Sequence, residues 1–112
     1  MAKQIAAYWF EPDAQPFEDR KVGFYLRPLN QETYWKLQAA YIRGGKVPEW
    51  DGIAAAFEYA VSDWRGLEEP YTRDAKREAL NVRSPRMALW QMQIAGELYR
   101  EALLSEEEQK NS

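Results

Sequence analysis

Adjacent carboxylates are the residues whose type and spacing in this sequence could support catalysis. They occur at Glu18 and Asp19, at Glu68 and Glu69, and within residues 106–108. Two convergent carboxylates can act as general acid and base in glycosidase-type hydrolysis when their environments differ. All three groups fall in predicted loops or in the C-terminal tail, where water solvates both members alike. We therefore interpret them as solvated surface charge.

Two further patterns resemble parts of ligand sites. Asp13, Glu18 and Asp19 supply carboxylates for calcium, but they lack the alternating ligands and the central glycine of a calcium loop. Residues 44–46, Gly-Gly-Lys, resemble a fragment of a phosphate-binding loop without its full glycine and Lys-Ser/Thr spacing. We predict that the glycine pair stops a helix, and that the protein uses no metal and no cofactor.

The sequence contains no cysteine and no histidine. This excludes disulfides, cysteine nucleophiles and metal sites built from thiolate or imidazole ligands. It also excludes a serine–histidine–acid triad and a histidine pH switch. Enzyme chemistry would have to rest on carboxylates, lysine, arginine and tyrosine. We predict a protein that is not an enzyme.

The length of 112 residues indicates a single domain, 1–112, with one core. The composition is 46% hydrophobic and 29% charged, which is typical of a folded protein. The net charge of −3 disfavours a nucleic-acid partner. No apolar run approaches the roughly 18 residues of a membrane span, and the N-terminus lacks the features of a signal peptide. We expect an intracellular, soluble protein without a membrane partner.

The elements that would position these residues begin with two strands. Residues 3–11 are rich in aromatic side chains, and Val22, Phe24 and Leu26 alternate along residues 20–29. Aromatic enrichment and a period of two are typical of strands. We predict that the two strands pair as an antiparallel hairpin with a long connection.

Four helices are predicted to follow the hairpin, each from an apolar repeat with start and stop residues. The clearest apolar stripe runs from Ile53 to Trp64 at helical spacing, and Gly66 is expected in a left-handed conformation after it. The predicted helices span about 30–43, 53–64, 73–81 and 85–107, with N-caps at Asn30, Asp51, Thr72 and Ser84 and with Pro85 at the first helical position.

The predicted fold class is therefore α+β, mostly α, with an N-terminal β-hairpin followed by about four helices packed in a small bundle. The hairpin occupies residues 1–29 and the helical part residues 30–104. Residues 105–112 are acidic and polar, and we predict that they form a flexible tail.

The last helix carries an apolar arc that is wider than a single packing contact requires. The plainer interpretation makes it the central core helix. In the alternative, one stripe packs inward while the other binds an apolar helix of a partner, and the acidic tail keeps that surface soluble and attracts basic segments. The stripes consist of Met87, Trp90, Ile94 and Leu98, and of Met92, Ala95, Tyr99 and Leu103.

The stretch VSDWRGLEEPYT, residues 61–72, also allows two interpretations. An aromatic, a turn glycine, two acids and a proline in a row are typical of a recognition loop. The same residues can simply end one helix and start the next, with Gly66 turning the chain and Thr72 as the new cap. We prefer the second interpretation and expect the binding surface on the helix that comes later.

The longer segment FEYAVSDWRGLEEPYTRDAKREALN resembles the tail assembly chaperones of long-tailed phages and prophages. In that family an apolar helix ends in a W-x-G-hydrophobic turn, an acidic loop follows, and a proline–aromatic–Ser/Thr sequence starts the next helix. Upstream, VGFYLRPLNQETYWKLQ is similar to the family's strand, junction and helix. The resemblance covers roughly residues 22–104. The apolar helix corresponds to residues 57–64, the turn to 66–67, the acidic loop to 68–69, the start of the next helix to 70–72, and the family's C-terminal helix to the helix from Pro85.

The resemblance implies a helical, non-catalytic protein of the host cytoplasm that is absent from the mature virion. Such chaperones bind the tape measure protein and recruit tail tube subunits, and many also exist in a longer, frameshifted form. Whether the chain forms a homo-oligomer stays open. Under this hypothesis the partner-binding residues are Tyr8, Trp9, Trp50, Trp90, Ile94, Leu98 and Leu103.

Two other functions stay open at this point. A small acidic inhibitor or antitoxin-like protein would act on a host macromolecule by presenting acids at phosphate-like spacing. It requires one contiguous acidic face. A carboxylate-based enzyme requires two acids that converge in a cleft with separated pKa values.

Overall fold

The structure of the protein, a computed structural model, describes residues 7–41, 50–81 and 84–110, with the backbone alone for Tyr41 and residues 103–110. This part of the chain is mostly α-helical with a small antiparallel sheet, which confirms the predicted fold class. Its elements are β1 (Tyr8–Phe10), β2 (Gly23–Leu26), α1 (Gln31–Tyr41), α2 (Trp50–Ala60), β3 (Val61–Arg65), α3 (Arg73–Asn81) and α4 (Pro85–Lys110).

The sheet has the order β1-β2-β3, with both pairs antiparallel. The predicted hairpin is confirmed, because Tyr8 lies opposite Leu26 and Phe10 lies opposite Phe24. Val22, Phe24 and Leu26 are fully buried, as their spacing predicts. The first half of the predicted strand, up to residue 6, lies outside the described residues.

The third strand corrects the predicted helix over residues 53–64. The helix α2 ends at Ala60, and the chain continues directly into β3, which pairs with β2. The register shifts beside Tyr25 so that Leu26 lies opposite Val61 and Ser62 is the extra residue of a bulge. As a result Val61 and Trp64, three residues apart, are both buried, at 1% and 5% exposure.

No glycine follows the end of α2, and two residues from elsewhere in the chain bind its last carbonyls instead. Arg27 is the first of them. Its backbone N–H donates a 2.7 Å hydrogen bond to the carbonyl of Ala60, and its guanidinium donates a 3.0 Å bond to the carbonyl of Tyr59. The last carbonyls of a helix have no partner within the helix and must find one elsewhere. Here the residue that follows β2 supplies it, which ties the helix end to the sheet.

Lys76 is the second such residue. Its Nζ donates to the carbonyls of Glu58 and Val61 at 2.8 and 2.9 Å. A cation at a helix C-terminus also complements the helix dipole. Burial at this position lowers the pKa of Lys76 from its usual value. Lys76 is therefore a structural contact rather than a free surface charge.

The N-caps of α1, α3 and α4 are the residues that the sequence predicts. Asp51, a fourth predicted N-cap, instead lies in the first turn of α2, which begins at Trp50. The confirmed caps are Asn30, Thr72 and Ser84, whose side-chain oxygens accept from the backbone N–H groups of Thr33, Ala75 and Met87 at 2.7, 2.9 and 3.1 Å.

The helix α4 extends to Lys110, so residues 105–110 of the predicted flexible tail are helical. The predicted helix stop at Gly44 and Gly45 lies outside the described residues. Among the described helices, none is both long and apolar enough to cross a membrane.

The core lies between the inner face of the sheet and the helices, with α2 packed against α1, α3 and α4. Phe24 of the central strand is its centre. The rings of Phe57, Trp64 and Trp90 contact it edge-on, with centroids 6.3, 6.3 and 5.8 Å away. The two tryptophans extend from this cluster toward the surface on the same side of the molecule.

Candidate binding groove

An open groove of about 710 Å³ lies between the loop after β3, the helix α3 and the first turns of α4. We call it the Trp64–Trp90 groove. Its surface combines an apolar floor with charged residues at the rim. The main apolar lining residues are Phe17, Trp64, Leu67, Ala79, Met87 and Trp90, and the charged ones are Glu68, Glu69, Glu78 and Arg86.

Trp64 forms one end of the floor and is fixed on both sides. The bulge in β3 turns it toward the core, where it meets Phe24. Its indole Nε1–H donates a 2.8 Å hydrogen bond to the backbone carbonyl of Glu69. The ring of Tyr71 packs against it edge-on at 5.1 Å. Trp64 therefore connects the core to the loop that borders the groove.

Trp90 forms the other end of the floor, on α4. Its indole Nε1–H donates a 2.9 Å hydrogen bond to the carbonyl of Ala14, in the connection between β1 and β2. One turn further along α4, the side-chain oxygen of Gln93 accepts a 2.9 Å bond from the backbone N–H of Asp13. The long connection of the hairpin is thus attached to the helix that lines the groove.

Gly66 shapes the loop at the groove's edge. Its φ of +86° confirms the predicted left-handed conformation, although the residue follows a strand rather than a helix. A Cβ at this position would collide with the backbone carbonyl of Lys21. Arg20 donates from Nε to the carbonyl of Gly66 at 2.6 Å and lies 3.8 Å above the ring of Phe17. Only glycine fits this close approach.

The rim of the groove is mainly acidic. Glu68, Glu69 and Glu78 are all exposed, and within the part of the chain that the structure describes none of them forms an ion pair. Arg86 is the basic side chain among the lining residues, while Arg83 lies outside the described residues. Three carboxylates against one guanidinium make the described rim attractive to cations.

Three of the predicted partner-binding residues belong to the core. Trp90, Ile94 and Leu98 are 3%, 0% and 1% exposed. Their stripe packs inward, as in the plainer interpretation of the last helix, and the prediction that it forms an open contact surface is corrected. Trp90 reaches a partner only through the part of its ring that lines the groove.

The other predicted residues differ in exposure. Trp9 and Trp50 are 37% and 46% exposed. Tyr8 is partly buried and packs against the core beside α4. Burial, followed by the negative charges of Glu97 and Glu101, raises the pKa of Tyr8 to about 12. The side chain of Leu103 lies outside the described part.

Sequence reasoning missed two exposed apolar side chains, Trp35 and Leu89, at 48% and 42% exposure, and it placed a third, Met92, in the second stripe of the last helix, where it is 45% exposed. Trp35 could have been found, because it is out of phase with the stripe of Tyr34 and Leu37 in α1. Leu89 and Met92 are three residues apart and share the outer face of α4. The groove residue Leu67 was missed because no periodicity marks a loop position.

The carboxylate pairs lie where solvent reaches them. Glu18, Asp19, Glu68 and Glu69 are all exposed, and Asp19 forms a 3.3 Å ion pair with Arg20. The side chains of residues 106–108 lie outside the described part. Within the described chain, no group of three acids is arranged to hold a metal ion.

Comparison of the chain with protein families, with curated proteins and with solved structures finds no match.

Proposed function

We propose that the protein is a non-catalytic tail assembly chaperone of a long-tailed phage or prophage. In this proposal it binds the tape measure protein and tail tube subunits in the host cytoplasm and does not remain in the mature virion. The Trp64–Trp90 groove carries the proposal. It is an open groove of about 710 Å³ with an apolar floor.

The exposed apolar side chains support the same function. Trp9, Trp35 and Trp50 present large aromatic surfaces, and Leu89 and Met92 add an apolar strip on α4. Tryptophan and methionine are enriched at protein interfaces. A long, aggregation-prone client would need several apolar contacts, and these residues lie outside the lining of the groove.

Coexpression with a fragment of the tape measure protein from the same genome tests the proposal. We expect the fragment to become soluble and to elute with the protein in size-exclusion chromatography. If the fragment stays insoluble and unbound, the proposal is wrong. Leu67→Glu places a charge in the groove and should abolish co-elution, whereas Ala40→Glu, at an exposed position of α1 outside the groove, is the control.

The alternative of an acidic inhibitor or antitoxin-like protein requires one contiguous acidic face. The described acids are instead spread over the hairpin connection, the helices and β3. Several are neutralised locally, such as Glu32 by Lys36 at 3.0 Å and Asp63 by Arg65 at 3.3 Å. This distribution counts against phosphate mimicry.

A further inference from the structure

The Trp64–Trp90 groove combines a fixed apolar floor with an acidic rim, and this combination defines the chemistry of its occupant. We infer that the groove binds a segment of a partner protein in which apolar side chains are interspersed with lysine or arginine. The inference deepens the proposed function and rests on the groove being a protein-binding site.

The floor is formed before any partner binds. Trp64 is held by the carbonyl of Glu69 and Trp90 by the carbonyl of Ala14, at 2.8 and 2.9 Å. Both rings also pack edge-on against Phe24. Because these side chains are ordered already, binding loses little conformational entropy at the floor. The apolar side chains of the partner therefore meet a preorganised surface.

The rim selects the charge of the partner. Glu68 and Glu69 lie on the loop after β3 and Glu78 lies on α3, so carboxylates from two elements line the same groove. Each exposed ion pair contributes little by itself. Together they attract a basic segment, repel an acidic one and make binding sensitive to salt.

Two synthetic peptides of equal length test the inference. Both carry the same leucines, and the positions between them are lysine in one peptide and glutamate in the other. We expect the lysine peptide to bind about tenfold more tightly at low salt. Its binding should shift the indole NMR signals of Trp64 and Trp90, and added salt should weaken it.

Two triple variants separate the rim from the overall charge. The first variant removes the acidic rim by combining Glu68→Gln, Glu69→Gln and Glu78→Gln. It should bring the affinities of the two peptides to within about twofold of each other. The control removes three acids elsewhere, through Glu11→Gln, Glu32→Gln and Glu101→Gln, and should leave most of the preference intact. Circular dichroism confirms that each variant is folded.

The inference would be overturned if the two peptides bind equally, if neither peptide binds, or if the two triple variants have equal effects. A dimer in sedimentation experiments that Leu67→Glu dissociates would overturn it too, because a second copy would then be the occupant. The proposed function fails separately. If a tape measure fragment co-elutes but the peptides show no charge preference, the proposed function holds and the inference about the groove is wrong. If the lysine peptide is preferred but the fragment does not co-elute, the inference about the groove holds and the proposed function is wrong.

Discussion

Trp64 and Glu69 are joined by a hydrogen bond of 2.8 Å from the indole Nε1–H to the backbone carbonyl. The bond spans the turn at Gly66 and holds the loop against the floor of the groove. Trp64 itself is 5% exposed, so the bond links a core side chain to a surface loop. The shape of the groove therefore depends on a residue that the sequence marks only as the end of an apolar stripe.

Replacing Trp64 with phenylalanine should remove this bond and keep an aromatic ring in the core. We expect unfolding in urea to show a loss of about 1–2 kcal/mol, since both a hydrogen bond and apolar area are lost. Amide exchange in residues 66–69 should accelerate. Trp35→Phe, at an exposed position, is the control and should cost less than about 0.5 kcal/mol. Equal losses in the two variants would show that the bond does not hold the loop.

Gly66 and Gly96 should respond to alanine with opposite signs. Gly66→Ala should destabilise the protein by about 2 kcal/mol or more, because φ is +86° and the new Cβ meets the carbonyl of Lys21. Gly96 lies within α4 with open space around its Cα, so Gly96→Ala should stabilise by about 0.5–1 kcal/mol. Thermal and urea unfolding measure both. A neutral Gly66→Ala would contradict the close approach of the two loops.

Lys76 should stabilise the fold because its Nζ caps the C-terminal end of α2. Lys76→Met removes the bonds to the carbonyls of Glu58 and Val61 and should cost about 1–2 kcal/mol in urea unfolding. Arg77→Met changes the neighbouring, exposed cation and should cost less than about 0.5 kcal/mol. If the two variants unfold alike, the junction between α2 and β3 does not depend on Lys76.

Tyr8 should make the folded state less stable as the solution becomes strongly alkaline. Its pKa is about 12 in the folded protein against an ordinary 10.0, so the folded state keeps a proton that the unfolded state loses. This contribution to stability is complete below pH 10.0 and is lost as the pH rises through about 12. The stability of Tyr8→Phe should fall less steeply over that interval. Lys76, whose pKa is lowered, acts in the opposite direction in both proteins and cancels in the comparison.

Glu97→Gln provides the control for Tyr8. Removing this carboxylate should lower the pKa of Tyr8, followed by tyrosinate absorbance in the folded protein. Because burial is the largest cause of the shift, the pKa should nevertheless stay above 10.0. A return to the ordinary value would show that charge, and not burial, governs this hydroxyl.

The sequence predicts most of this fold where local signals and tertiary packing agree. Asn30, Thr72 and Ser84 cap their helices because capping depends on neighbouring backbone groups. The alternation of Val22, Phe24 and Leu26 likewise identifies β2. These features need no knowledge of distant residues.

The third strand escaped prediction for a physical reason. Val61 and Trp64 continue the helical spacing of the preceding stripe, and the bulge at Ser62 lets a strand bury the same two residues. The helix end depends on Arg27 and Lys76, which are distant in sequence. Such tertiary contacts override a local period.

The groove was even less accessible from sequence. Its floor joins side chains from the hairpin connection, from β3 and its following loop, and from both later helices, and no single stretch contains them. The stretch VSDWRGLEEPYT contributes Trp64, Leu67, Glu68 and Glu69, so it supplies a wall of the groove as well as a junction between elements. The wide apolar arc of α4, by contrast, is explained mostly by burial of Ile94 and Leu98.

Tryptophan indole NMR signals provide the most direct test of the groove as the site of client binding. The five tryptophans report on different places, with Trp64 and Trp90 in the groove and Trp9, Trp35 and Trp50 exposed elsewhere. On titration with a soluble tape measure segment, we predict the largest shifts for the two groove signals. Unchanged groove signals, with shifts limited to the exposed tryptophans or absent altogether, would contradict this account.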